Sequence, residues 1–279
     1  MKKIGFVDLY ISEWHANNYP VWIDEAAKKL GLDYKVTYAW AKEYISPVDG
    51  KNTDEWCEEF GIKRCETVEE LCQKSDVILL LAPSNPESHL ELAEKVLPFK
   101  KPTYIDKTFA PDLATAKKIF SLGEKYGTPF FSTSALRYAA EVKEFKGVKN
   151  LFLTGGGRSL NEYIIHPVEM AVSLFGGAFD RVKCEPMGQQ VYIKAEGKEN
   201  QLAIMFSPAF GYSLSGEFAD GTVKKKDASG GFFQNLMEDI LLFFEKGELP
   251  FGGEETLEVM RLRDGILAAE ENPETWIEL

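Results

Sequence analysis

The sequence predicts an α/β fold in which a parallel sheet comes first and an α+β domain on an antiparallel sheet follows. Three observations lead there. Val77-Ile78-Leu79-Leu80-Leu81 is a continuous apolar run without alternation, the pattern of a strand covered on both faces. Up to about residue 135, short apolar strands alternate with amphipathic helical segments, which is the grammar of βαβ units with right-handed crossovers. After about residue 136 the pattern changes to alternating segments joined by hairpin-like turns, as in a sheet with one face solvated and one packed on helices. The 279 residues suffice for two domains, expected at 1–135 and 136–279.

Each element has its own signal. Lys3 to Asp8 reads as a strand, and Tyr19 to Leu30 as a helix closed by Gly31. Tyr34 to Ala39 is a second strand, and short helices at Glu55–Phe60 and Val68–Gln73 flank the Gly61-Ile62 turn. Asp76 leads into the apolar strand, and the loop Ala82-Pro83-Ser84-Asn85-Pro86-Glu87-Ser88 follows it. A helix carries Leu90, Leu92, Ala93, Val96 and Leu97, Pro102 breaks it, and Thr103-Tyr104-Ile105 delivers Asp106 and Lys107 to a strand's carboxyl end. In open α/β sheets that edge is where ligands sit. Asp112 to Tyr126 is a helix introduced by Pro111 and ended by Gly127, and Pro129 to Ser132 is a further strand. In the second half, Val148–Thr154 is a strand, Gly155-Gly156-Gly157 follows, and one helix spans Leu160 to Phe175. Strands at Arg181–Pro186, Gln189–Ala195, Gln201–Phe206, Tyr212–Phe218 and Gly221–Lys226 come next, with Ala219-Asp220-Gly221 as a turn. Helices at Phe232–Lys246 and Glu254–Glu271 close the chain.

Composition narrows the function. An apolar fraction of 44% with 27% charged residues belongs to a globular protein with a sizeable core. A net charge of -12 argues against nucleic acid and anionic membrane surfaces as partners. Cys57, Cys65, Cys72 and Cys184 form no C-x-x-C pair and have no nearby histidine, so they read as structural thiols and no metal site is expected. The N-terminus runs straight into a strand without a signal-peptide h-region, and no apolar segment approaches membrane-spanning length, which predicts a cytoplasmic protein.

The three histidines, His15, His89 and His166, all lie where a ligand site could use them, and Lys107 stands at the carboxyl edge of the sheet. The pattern strand, Pro83-Ser84-Asn85, His89, helix, then Lys101-Pro102-Thr103-Tyr104-Ile105-Asp106-Lys107-Thr108, with Ser132 to Arg137 after it, resembles the Gfo/Idh/MocA oxidoreductase family. The family's Glu-Lys-Pro motif is matched by Asp106-Lys107-Thr108, and its Asp-x-x-x-His pair by Glu162 and His166. Gly247-Glu248-Leu249-Pro250 and the helix into Trp276-Ile277-Glu278 are similar to its C-terminal stretch, so the resemblance covers nearly the whole chain.

The resemblance implies an N-terminal Rossmann-like domain, an open, mostly antiparallel C-terminal sheet, and an NAD(P)-dependent oxidoreductase acting on a sugar, cyclitol or related polyol. It implies catalytic roles for Lys107, His166 and Glu162. His166 would take the hydroxyl proton, Glu162 one turn earlier would orient the imidazole, and Lys107 would stabilise charge developing on the substrate oxygen. It implies a cofactor, NAD or NADP, held by Asp8, Ser12, Pro83, Ser84, Asn85, His89, Asp106 and Arg137. It also implies a homo-oligomer, a dimer or dimer of dimers. Lys107 and His166, from separate lobes, are expected to converge on one cleft.

The chain departs from that pattern at the nucleotide. The turn after the first strand reads Asp8-Leu9-Tyr10-Ile11-Ser12-Glu13-Trp14-His15, without the G-x-G-x-x-G that lets a backbone approach a pyrophosphate. The second strand ends in Tyr38-Ala39-Trp40-Ala41, without the acid that binds an adenine ribose. A second reading therefore keeps the fold and changes the cofactor use: a small-molecule binding or regulatory protein, or a non-redox lyase or hydrolase. Trp14 and Trp40, at strand ends, are positions for a platform under a sugar ring or an adenine.

Overall fold

Strand β1 (Lys2–Asp8) is buried from Ile4 onward because it lies at the middle of a parallel sheet. The computed structural model describes residues 1–177 and 179–279. They form two units, residues 1–133 with 233–253 and residues 134–232 with 254–279.

The first unit continues with α1 (Trp14–Leu30), β2 (Tyr34–Ala41), α2 (Thr53–Phe60), β3 (Lys63–Arg64), α3 (Val68–Lys74) and β4 (Val77–Leu80). Then come α4 (His89–Val96), β5 (Thr103–Ile105), α5 (Leu113–Tyr126) and β6 (Phe130–Ser132). The six strands pair in parallel in the order β3-β2-β1-β4-β5-β6. Chain direction across the sheet reverses between β1 and β4, the switch point beside which ligands of doubly wound folds lie. Every residue of β4 is buried, as its unbroken apolar run predicts.

Caps set the helix limits. Gly31 and Gly127 stop α1 and α5 in the left-handed conformation, and Asp112 caps α5 by accepting from the Thr115 amide. Helix α1 begins at Trp14, five residues before the expected start, because Glu13 caps it, and Pro20 is accommodated inside it. One face of α1, carrying Ala16, Tyr19, Ile23, Ala26 and Ala27, is buried at helical spacing.

The second unit contains β7 (Val148–Gly155), α6 (Leu160–Tyr163), α7 (Ile165–Phe175), β8 (Arg181–Met187), β9 (Gln190–Glu196) and β10 (Gln201–Phe206). It continues with β11 (Ser213–Phe218) and β12 (Val223–Asp227); after α8 (Phe232–Lys246) come α9 (Gly253–Glu271) and β13 (Ile277–Glu278). Its seven-stranded sheet has the order β12-β11-β7-β10-β9-β8-β13. All pairings are antiparallel except β7 with β10, which run parallel. Leu151, Leu153, Ile193, Ala195, Leu202 and Ile204 face the core, while Phe152 and Lys194 lie on the other face.

Three features differ from expectation. The single helix over Leu160 to Phe175 is two, separated at Ile164, because Pro167 offers no N–H to the Tyr163 carbonyl. The parallel β7–β10 pair is absent from a reading by successive hairpins. A single cut at residue 135 also misses that residues 233–253 return to the first unit. There Phe243 packs edge-on to Phe131 at 5.1 Å, Phe244 stacks near Tyr34, and Glu245 pairs with Lys2 at 2.8 Å.

All four cysteines are free and buried, and burial pushes the thiols of Cys57, Cys72 and Cys184 up to about 12. No helix among the described residues is long and apolar enough to cross a membrane. No group of three His, Cys, Asp or Glu side chains among them is placed to hold a metal.

Candidate active site

At the switch point the first unit gathers acidic side chains inward. Asp8, at the end of β1, is 1% exposed, and its Oδ1 accepts from the Leu9 amide at 2.7 Å and the Ala82 amide at 3.1 Å. That carboxylate staples β1 to the loop after β4. Burial, reinforced by the nearby Glu13 charge, raises its pKa well above the usual carboxylate range. Its Oδ2 has no hydrogen-bond partner among the described residues.

Glu13 is the N-cap of α1. Its backbone is extended, and its carboxylate accepts from the His15 amide at 2.8 Å and from the Ala16 amide. Burial raises its pKa too, partly offset by the His15 charge and by the two amides. Ser12 is equally internal. Its hydroxyl donates to Asp49 Oδ2 at 2.7 Å, and its carbonyl accepts from the Ser46 hydroxyl at 2.6 Å. The Lys42 and Glu43 amides donate to the carbonyls of Asp8 and Leu9 at 3.1 and 2.6 Å. The connection over residues 42–52 is thus tied along the β1–α1 turn.

Asp106 forms a second hub below α1. Its carboxylate pairs with His15 Nδ1 and accepts from the hydroxyls of Tyr19 and Tyr104, each at 3.3 Å, and from the Lys107 amide at 2.8 Å. Burial alone would raise its pKa, but the His15 and Lys107 charges overcome that and hold it below the usual value. Lys107 is 8% exposed, and its Nζ donates to the Pro83 carbonyl at 3.2 Å. The Lys107–Thr108 peptide is cis.

His89 is fully buried. Its Nδ1 lies 2.9 Å from the Phe109 carbonyl and its Nε2 2.6 Å from the Leu81 carbonyl, and burial lowers its pKa. Both ring nitrogens are engaged by backbone, so His89 fixes the loop after β4. In that loop Ser84 is exposed, while the Asn85 amide nitrogen donates to Glu87 at 3.1 Å.

In the second unit, His166 Nδ1 lies 2.6 Å from Ser134 Oγ, and that oxygen also accepts from the Leu136 amide at 3.2 Å. The Tyr163 and Tyr212 rings flank the imidazole with centroids at 5.8 and 5.5 Å. Glu162, which precedes His166 by four residues, accepts from Arg158 through Oε1 at 2.7 Å. Arg137, expected to hold cofactor, is 9% exposed and donates to Glu169 at 2.9 Å and to Glu255 at 2.8 Å. Burial opposes its charge, and the two glutamates raise its pKa. It locks α7 to α9.

Sequence reasoning singled out Lys107 and His166 as candidates and missed the hydrogen-bonding roles of Glu13 and Ser134. Glutamate is a weak N-cap signal, and Ser134 meets His166 across 32 residues, which no local pattern reveals.

A nicotinamide dinucleotide would lie across this switch point with its pyrophosphate on the first amides of α1. The residues present do not fit it. The turn has no glycine, the His15 and Ala16 amides are taken by Glu13, and β2 ends without a ribose-binding acid.

No protein-family model matches the sequence, and no curated protein matches it. Solved structures do match over the whole chain. A probable dehydrogenase from Thermotoga maritima superposes with a TM-score of 0.78 at 16% identity, covering 99% of this chain and 98% of that one. Apo scyllo-inositol dehydrogenase from Lactobacillus casei gives 0.76 at 13%, with the same 99% and 98% coverage. An oxidoreductase from Agrobacterium radiobacter in complex with NAD+, L-tartaric acid and magnesium gives 0.76 at 14%, again covering 99% and 98%. These likenesses establish a fold shared with dehydrogenases: a parallel six-stranded sheet joined to a mostly antiparallel one.

Proposed function

We propose that this protein is an enzyme acting on a small polyhydroxylated molecule of the sugar or cyclitol class, with Lys107 and His166 handling charge and protons. The observation that carries it is Lys107, a buried cation at the carboxyl end of β5, with its ammonium held on the Pro83 carbonyl. A lysine desolvated at a ligand edge stabilises negative charge on a substrate oxygen far better than one in water. His166, oriented through Nδ1 by Ser134, carries an imidazole whose ordinary pKa suits it to exchange a proton with a hydroxyl or an adjacent carbon. In this reading the chemistry is proton transfer, of the kind used by lyases and isomerising enzymes. The inositol dehydrogenase among the structures of similar fold supports the substrate class.

A second reading is NAD(P)-dependent oxidation of the same substrates, favoured by the motif around Lys107 and by the NAD+ complex of the Agrobacterium radiobacter oxidoreductase. One experiment separates them. Sugars and inositols are incubated with the protein, with and without NAD+ or NADP+, and conversion is followed by NMR. Turnover without nicotinamide supports the first reading, and turnover that requires it supports the second. In either case Lys107→Met and His166→Asn are each expected to lower kcat by roughly 10²–10⁴, with strongly non-additive losses in the double variant. Full activity in both single variants would end both readings.

A further inference from the structure

We propose that the N-terminus of α1 is self-liganded: Glu13 occupies the anion position of the fold, and the chain takes no nicotinamide dinucleotide across the β1–α1 turn. This stands apart from the substrate reading, since its failure would leave the roles of Lys107 and His166 untouched.

The argument begins with the amides. A helix presents unbonded N–H groups at its start, with the positive end of its dipole behind them, and these bind phosphate in doubly wound folds. In α1 the His15 and Ala16 amides both donate to the carboxylate of Glu13. Glu13 is 7% exposed, so this is an enclosed contact and not a fraying surface cap. A pyrophosphate arriving there would have to displace a carboxylate belonging to the same chain.

The surroundings reinforce the occupancy. Asp8 and Asp106 lie close enough to Glu13 to act on its charge or feel it, so a dianion would enter among carboxylates. The close backbone approach that glycines permit is blocked as well, because Ile11 and Ser12 of the turn are each 1% exposed. On the adenosine side, the connection over residues 42–52 is fastened to the turn through Ser46 with Ser12 and Ser12 with Asp49. Past the end of β2, Lys42 is paired with Glu91 at 2.6 Å.

The test titrates the full chain with NADH and NADPH, following energy transfer from tryptophan and the melting temperature. No saturable signal is expected up to about 1 mM, the upper end of ordinary cofactor and substrate affinities. Saturable binding of either dinucleotide below that concentration would overturn the proposal. The variant Glu13→Gly keeps a tolerated N-cap residue and frees the amides, so its affinity for inorganic pyrophosphate should rise by roughly tenfold or more. A folded Glu13→Gly chain whose pyrophosphate affinity equals that of wild type would overturn Glu13 as the occupant. Should that variant not fold, the His15 and Ala16 amide resonances of the wild-type chain provide the reading. They are expected to stay in place when pyrophosphate is added, and a saturable shift would sink the assignment.

Discussion

Asp8 has one oxygen bound by two amides and the other without a partner, in a place where burial favours its protonated form. The sign of its contribution follows. Its folded pKa lies above its ordinary value of 3.8, so the folded chain holds this proton more tightly than the unfolded one. The stability tied to it is complete below the ordinary value and is lost as pH rises through the raised one. Asp8→Asn keeps the Oδ1 acceptor and removes the ionisation. It is expected to stabilise the chain by about 1–3 kcal/mol near neutral pH, with the gain fading towards about pH 4, as thermal melts at several pH values would show. Asp106, two strands away in the sheet order, behaves oppositely, because His15 and Lys107 hold it ionised. Neighbouring acids thus play different parts, and only geometry separates them. The family resemblance implies Asp8, Ser12, Asp106 and Arg137 as cofactor-holding residues; in the structure each also has an internal partner.

The elements were legible where a local cause sets them. The apolar run of β4, the Gly31 and Gly127 stops, the Asp112 cap and the hairpin between β11 and β12 each carry their reason within a few residues. What stayed hidden depends on distant partners or weak signals: the early start of α1 under Glu13, the parallel β7–β10 pair, and the partners of His166. Gly5, which lies inside β1 and not in a phosphate loop, has an elemental role. A Cβ there would collide with Ser75 Oγ and the Leu71 side chain of α3. Gly5→Ala is therefore expected to destabilise the chain by about 1–3 kcal/mol, measurable by denaturant unfolding, while leaving the secondary-structure content unchanged. Gly156 is tighter still, since its Cβ would meet the backbone carbonyls of Ser207 and Phe210.

At the scale of the whole chain, the boundary between units is crossed three times, and α8 belongs almost wholly to the first unit. Its buried face, with Leu236, Met237, Ile240, Leu241, Phe243 and Phe244, completes a core that residues 1–135 cannot complete alone. A fragment of residues 1–135 is expected to expose this surface and to aggregate or melt without cooperativity. The same fragment linked to residues 233–253 should give a dispersed amide spectrum and a sharp transition. The Glu13 cap has a consequence of the same reach. A protein stabilised by a diffusing metabolite becomes firmer as that metabolite accumulates, by about 2.7 kcal/mol at a hundred times its dissociation constant. An anion covalently built into the chain is present at one fixed effective concentration. The firmness it confers on α1 is therefore constitutive, supplied by the chain's own carboxylate at every metabolite level.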